Sequence, residues 1–262
     1  MELDHHFWDA MTRFLAAFAL VAVIMLVSIN RRLRLERELA MAIVRAFAQL
    51  MIMALVIDWI FGMDYLLLVL IMLSGMLVLA AHTSATRAKG VPDPQTITFT
   101  AIATGSFVTL TLMILAGVIT PEPIQLIPLG GMTIGNSMNV TSLALNRMSG
   151  EVHNTRDRIE AALALGATGE EAMEGLARLS VRNSLIPTID NLKTLGIVLI
   201  PGVMTGLILA GTPPMEAALF QIVIFFMILC SNIIASSIAV RMATGRFIND
   251  RHQLVNVPDS EQ

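Results

Sequence analysis

Charge is scarce in this sequence. Asp, Glu, Lys and Arg make up 14% of the 262 residues, and hydrophobic residues 55%. A soluble domain carries about a quarter charged residues, so a chain this apolar is not solvated on all sides. Cysteine is almost missing: Cys230 stands alone inside an apolar run. That excludes an intrachain disulfide and a Cys-based metal cluster. The two lysines exclude a phosphate-binding loop. Such a loop needs a Gly-rich turn ahead of Lys and Ser or Thr. Lys89 is followed by Gly90, and Lys193 by Thr194 with no glycine before it, so ATP energy would have to arrive through another polypeptide. The five histidines do not cluster, and no HExxH pair occurs, which argues against a bound catalytic metal. Ser74, Ser106, Ser137 and His82 make no recognisable nucleophile–base set, which ranks a membrane enzyme last. Carboxylates are nearly absent from the middle of the apolar runs, which counts against an ion-coupled secondary carrier.

What the chain does have is a series of apolar runs of membrane-crossing length. They predict an all-α polytopic integral membrane protein, one transmembrane domain over residues 1–262. The reading gives about seven spans: Phe7–Ile29, Leu39–Phe61, Tyr65–Ser84, Thr96–Ile119, Ile124–Asn146, Leu185–Ala210 and Met215–Met242. The acidic start MELDHHFWD lacks the basic stretch of a secretory signal, so no cleaved leader is expected. Arg and Lys alternate with the connections. Arg31, Arg32, Arg34 and Arg37 follow the first span. Arg87 and Lys89 follow the third. Arg147, Arg156, Arg158, Arg178, Arg182 and Lys193 follow the fifth, and Arg241, Arg246 and Arg251 the last. The even connections, near Gly62, Thr120 and Gly211, carry none. By the positive-inside rule the N-terminus lies outside and the C-terminus in the cytoplasm. Asp58 and Asp64 fall at the external rim.

The external turns leave no room for a domain, so a soluble partner would meet residues 147–193. That insert reads as a cytoplasmic helix–turn–helix. Its first helix spans Gly150 to Leu165, with Val152, Ile159 and Leu163 on one stripe. Gly166 suits a left-handed helix end. Thr168 to Glu171 has the form of a capping box. Met173, Leu176 and Ala177 line one side of the second helix. The pattern alone allows an ordinary amphipathic hairpin.

Within it, Glu160-Ala161-Ala162-Leu163-Ala164-Leu165-Gly166-Ala167 resembles the EAA---G motif of ABC importer permeases, a short helix–turn–helix that seats in a groove of the ATPase. Further segments are similar to one family: Arg45-Ala-Phe-Ala-Gln49-Leu50, Gly131-Met-Thr-Ile-Gly135-Asn136-Ser-Met138, Pro187-Thr188-Ile-Asp190-Asn-Leu-Lys193-Thr194, Pro201-Gly202-Val-Met204-Thr-Gly206, and Arg251-His252-Gln253-Leu254. From about Arg31 to Leu254 the chain resembles the FetB-type permeases of bacterial iron-export ABC systems, related to plant aluminium-tolerance permeases. The resemblance implies the membrane subunit of an ABC exporter in a bacterial inner membrane. It implies a permease homodimer with two ATPase subunits, and ATP and Mg2+ on those subunits with no cofactor on this chain. Iron or another metal is the implied cargo. No nucleic-acid partner is expected. Glu160, Ala161, Gly166, Ala167 and Thr168 would dock the ATPase.

Polar residues in the spans are expensive unless they face protein or a cavity. Arg45 and Gln49 share a helix face. They line a route or pair with a partner, or Arg45 snorkels to the surface. The fifth span, PLGGMTIGNSMN, can bend or unwind around a cavity, which makes Asn136 and Asn139 pathway or interface candidates together with Asp190. Gly131 with Gly135 and Gly202 with Gly206 form GxxxG pairs suited to close packing. The 18 methionines read chiefly as fillers of apolar gaps. Met132 and Met138, inside the breakable helix, are the weak candidates for a soft metal contact.

Overall fold

The computed structural model describes residues 18–61, 65–249 and 253–255. All of its regular elements there are helices, joined by two isolated β-bridges. The chain divides into two compact units, residues 1–63 and 64–262.

The first unit contains α1 (Phe18–Asn30) and α2 (Glu36–Phe61). The Arg-rich connection turns sharply, with Arg32 and Arg34 at φ 54° and 58°. Ser28 steadies it from inside: its buried hydroxyl donates to Glu36 Oε1 at 2.8 Å and accepts from the Leu35 N–H. The expected first span begins at Phe7, and its start, like Asp64 and the acidic N-terminus, lies outside the described residues.

The second unit contains α3 (Leu66–Arg87), α4 (Pro94–Leu115), α5 (Pro123–Asn154), α6 (Arg156–Ala164), α7 (Gly169–Thr194), α8 (Gly202–Leu209) and α9 (Pro214–Phe247). Proline opens α4, α5 and α9 at the first turn, where its fixed φ suits the helix and its missing N–H goes unmissed. Among the described helices, α2, α3, α4 and α9 are long and apolar enough to cross a membrane. The α5 helix has 32 residues, ample length for a crossing, and a more polar composition.

Two expectations need correcting. The α5 helix continues through Gly150 to Asn154, so the helix expected over 150–165 is shared between the end of α5 and a separate α6. The span expected at Leu185–Ala210 is not one helix. The α7 helix passes through Pro187, stops at Thr194, and gives way to an irregular stretch before α8. Gly196 at φ 79° turns the chain there, its N–H donating to the Leu199 carbonyl at 2.9 Å. Pro201 then starts α8 afresh. The buried Gln221 of α9 accepts from the Met204 N–H at 3.2 Å, supplying a partner that a first-turn amide lacks.

Glycines leave no room for a side chain in the α4–α9 and α3–α5 contacts. A Cβ at Gly105 would meet α9, and one at Gly130 would fall 2.6 Å from Leu73 Cδ2 of α3. The GxxxG pairs behave otherwise. A Cβ at Gly131 would touch only Met76 Cε, at 3.0 Å, and among the described residues nothing comes within 4 Å of one at Gly135, Gly202 or Gly206. Those three are therefore not the glycines that hold this unit together.

Candidate functional site

The hairpin between α6 and α7 is built by consecutive stop and start signals. At the end of α6, Gly166 takes φ 96°, a conformation that costs other residues roughly 1–2 kcal/mol. Its N–H donates to the Leu163 carbonyl at 3.0 Å and the Ala167 N–H to the Ala162 carbonyl at 3.1 Å, the bond pair of a Schellman termination. Two residues later Thr168 caps α7. Its Oγ1 accepts from the Glu171 N–H, while Glu171 Oε2 accepts from the Thr168 N–H and hydroxyl, both at 2.8 Å. These two bonds, the backbone one foremost, hold the Glu171 carboxyl below its ordinary pKa of 4.5.

The hairpin tip is bare. Leu165 is 90% exposed, with Gly166 and Thr168 exposed around it. Burying its side chain on a partner would be worth about 1.5–3 kcal/mol. The base of the hairpin is the opposite. Val152, Ile159, Met173 and Phe247 are each nearly fully buried in one apolar cluster that also takes in Ile97, Ala101 and Met148. Gly169 lies against Ile248 so closely that a Cβ would fall 2.7 Å from its Cδ1. Residues after α9 fold back, the Val255 N–H donating to the Phe247 carbonyl at 2.8 Å. A force on the tip is thus received by the ends of α5 and α9 through close-packed side chains, which transmit strain. Of the docking candidates, Glu160 is exposed and paired with Arg156 at 2.8 Å, Ala161 is exposed, and Ala167 is half-buried.

The pathway candidates are more scattered. Arg45 and Gln49 are exposed on α2 in the first unit. The half-buried Asn136 donates to the Met132 carbonyl in its own helix at 2.8 Å. Asn139 is exposed and accepts from Arg87 at 3.3 Å. Asp190 is exposed and paired with Lys193 at 3.0 Å. Met138 packs beside Ala80, Ala81, Ile102 and Ile134, and Met132 is half-buried. Among the described residues no group of three His, Cys, Asp or Glu stands where it would hold a metal.

The structure brings together a different set. Hydroxyls and amides fill the buried interior of α3, α4, α5, α7 and α9. Ser137 and Ser231 share a hydrogen bond between α5 and α9. Ser142 donates to Ser84 at 3.0 Å, Thr98 to the Ala81 carbonyl at 2.9 Å, and Asn232 to Thr188 at 3.0 Å. The buried hydroxyls of Ser106, Thr109, Thr141 and Ser180 and the Asn232 carbonyl oxygen find no partner among the described residues. Most buried polar groups are hydrogen-bonded, so this seam of hydroxyls keeps hydrogen-bonding capacity that the described residues leave unused. The sequence signal is Ser231-Asn232, followed by Ser236-Ser237, in the charge-free stretch of α9. The sequence weighs Ser106 and Ser137 as nucleophiles without a base, and Ser137 also as a polar residue of the breakable fifth span.

Comparison with known proteins matches residues 11–248 to the family described as "Uncharacterised protein family (UPF0014)". The chain is 38% identical over 239 residues to the "Probable iron export permease protein FetB" of Escherichia coli, covering 91% of this chain and 92% of that one. It is 35% identical to the "UPF0014 membrane protein STAR2" of Oryza sativa, with 95% and 87% covered. It is 30% identical to "Protein ALUMINUM SENSITIVE 3" of Arabidopsis thaliana, with 95% and 91% covered. No solved structure matches the chain.

Proposed function

The chain belongs to the UPF0014 family of membrane proteins, and from that membership we propose that it is the permease subunit of an ABC-type exporter. A separate ATPase with its own ATP and Mg2+ powers it, two permeases assemble around one route, and the permease itself catalyses no reaction. The cargo is iron or another metal, as the name of the Escherichia coli relative suggests. The chain sits in the inner membrane with the hairpin and C-terminus in the cytoplasm, the side favoured by its Arg-rich connections.

The observation that carries this reading is Leu165, 90% exposed at the tip of a doubly capped hairpin whose base packs into the common core. Glu160, Ala161, Gly166, Ala167 and Thr168 surround it and form the ATPase-docking surface. The metal passes along the Ser and Thr seam, with Asn136, Asn139, Asp190, Arg45 and Gln49 on the route or the subunit interface. Met132 and Met138 offer soft contacts.

The test is purification of the tagged protein from its native membrane in mild detergent. An ATPase recovered in equal amount, with hydrolysis that depends on the Glu160–Thr168 hairpin, supports the proposal. A permease that purifies alone and transports without ATP overturns it in favour of an ion-coupled carrier.

A further inference from the structure

A groove of about 860 Å³ runs between α7 and α9. Val181, Leu185, Ile189 and Val240 form its apolar side, and Arg182 and Arg241 project at its edge. Both arginines are exposed, and neither has an ion-pair partner among the described residues. Three carboxylates and Arg178 also line the groove. Arg178 pairs with Glu174. Glu171 is engaged by Thr168. Glu170 lies about 18 Å along the helix from Arg182, beyond the screening length of physiological salt for that arginine, and forms no ion pair with Arg241.

The depth of Arg241 follows from α9. From Ala217 to Val240 that helix has no charged residue, and Glu216 and Arg241 bracket the stretch. They are about 37 Å apart by helix rise. A bilayer has about 30 Å of hydrocarbon and 40–45 Å with headgroups, so the two charges fall in opposite headgroup layers. Arg241 thus stands at phosphate depth, and Arg182 lines the same groove one helix away, with Leu185 and Ile189 farther along α7.

We propose that this groove binds an anionic phospholipid of the cytoplasmic leaflet, its phosphate on Arg182 and Arg241 and an acyl chain along Leu185 and Ile189. Unpaired guanidinium groups above an apolar trough are complementary to that headgroup and tail together. A soluble acidic partner would leave the trough unfilled, and a zwitterionic lipid would bring a second cation against the arginines. A lipid seated here would brace α7, which carries the hairpin, against α9. The proposal rests on the cytoplasmic placement of Arg182 and Arg241 and not on ATP drive, so its readout is independent of ATPase recovery.

The full-length protein in mild detergent, given equal dioleoyl-phosphatidylglycerol and dioleoyl-phosphatidylcholine, should retain phosphatidylglycerol in native mass spectrometry by about tenfold or more, as two arginines near a phosphate imply. Arg182→Gln with Arg241→Gln should abolish that preference. Arg156→Gln with Arg158→Gln, which removes equal charge from the hairpin, should keep it. Ser237→Trp, which fills the groove from an exposed position without altering charge, should lower retention of bound lipid. Equal retention of the two lipids, unchanged preference in the Arg182/Arg241 variant, or displacement of phosphatidylglycerol by millimolar inorganic phosphate would each overturn the proposal. The last result would make the site one for a soluble anion.

Discussion

Gly105 of α4 and Ala235 of α9 touch with no room between them: a Cβ at position 105 would lie 2.9 Å from the Ala235 Cβ and 2.8 Å from the Ser231 carbonyl oxygen. The obstruction is backbone and a methyl group, neither of which rotates away. Gly105→Ala therefore has to separate two long helices, and overpacking of this kind costs about 1–3 kcal/mol. Gly135→Ala meets open space and should change stability by less than about 0.5 kcal/mol. Thermal unfolding of the detergent-solubilised variants distinguishes them, and equal stability of the two would mean that α4 and α9 are not in this contact.

The Ser137–Ser231 and Asn232–Thr188 hydrogen bonds tie α9 to α5 and α7. Hydrogen bonds between membrane helices contribute only about 0.6 kcal/mol on average. Ser231→Ala should accordingly cost little stability. If the seam carries the cargo, the same substitution should slow transport far more than it lowers the unfolding temperature. Proportionate loss of both would reduce Ser231 to a packing residue.

The capping box makes the start of α7 sensitive to acid. The Glu171 pKa is lowered by bonds from the Thr168 N–H and hydroxyl. A depressed carboxyl pKa contributes stability that is fully present above the unfolded value and lost as pH falls through the folded one. The box should therefore stay closed at neutral pH and open only in acid, below the ordinary carboxyl value of 4.5. Hydrogen exchange of the 168–174 amides, corrected for intrinsic rates, should show that loss in the native protein. In Glu171→Gln the acid dependence should vanish. Thr168→Ala should lower local helix stability at every pH by about 1 kcal/mol.

The hairpin was legible in the sequence because its signals are local. Gly166 ends one helix, Thr168 and Glu171 start the next, and each needs only neighbours a few residues away. The spans were legible where an uninterrupted apolar run decides the matter, as in α3, α4 and α9. The break at 195–201 was hidden because Leu195 to Ile200 is as apolar as a helix and holds one glycine. The positive φ of Gly196 is set by its bond to the Leu199 carbonyl, which no composition reveals. The close-packing glycines were hidden for a related reason. Spacing marks Gly131 and Gly135 as a pair, but which glycine faces another helix depends on how the helices are rotated, and that rotation put Gly105 and Gly130 at the contacts.

Gly166 offers the sharpest test of the docking hairpin. Its φ of 96° strains any L side chain, yet a Cβ there meets open space. Gly166→Val therefore deforms the tip by roughly 1–2 kcal/mol of backbone strain without disturbing the core formed by Ile159, Met173 and Phe247. The variant should insert, fold and keep its unfolding temperature within a few degrees. Its ATPase should bind less well or hydrolyse ATP without moving cargo. Leu165→Asp keeps the turn intact and removes only the exposed apolar contact, so it should weaken ATPase recovery while leaving the hairpin's exchange protection unchanged. Vesicles carrying each variant with the ATPase, assayed for ATP hydrolysis and cargo release together, give the ratio that matters. If both variants keep the wild-type ratio and full ATPase recovery, the tip is not where the two proteins meet.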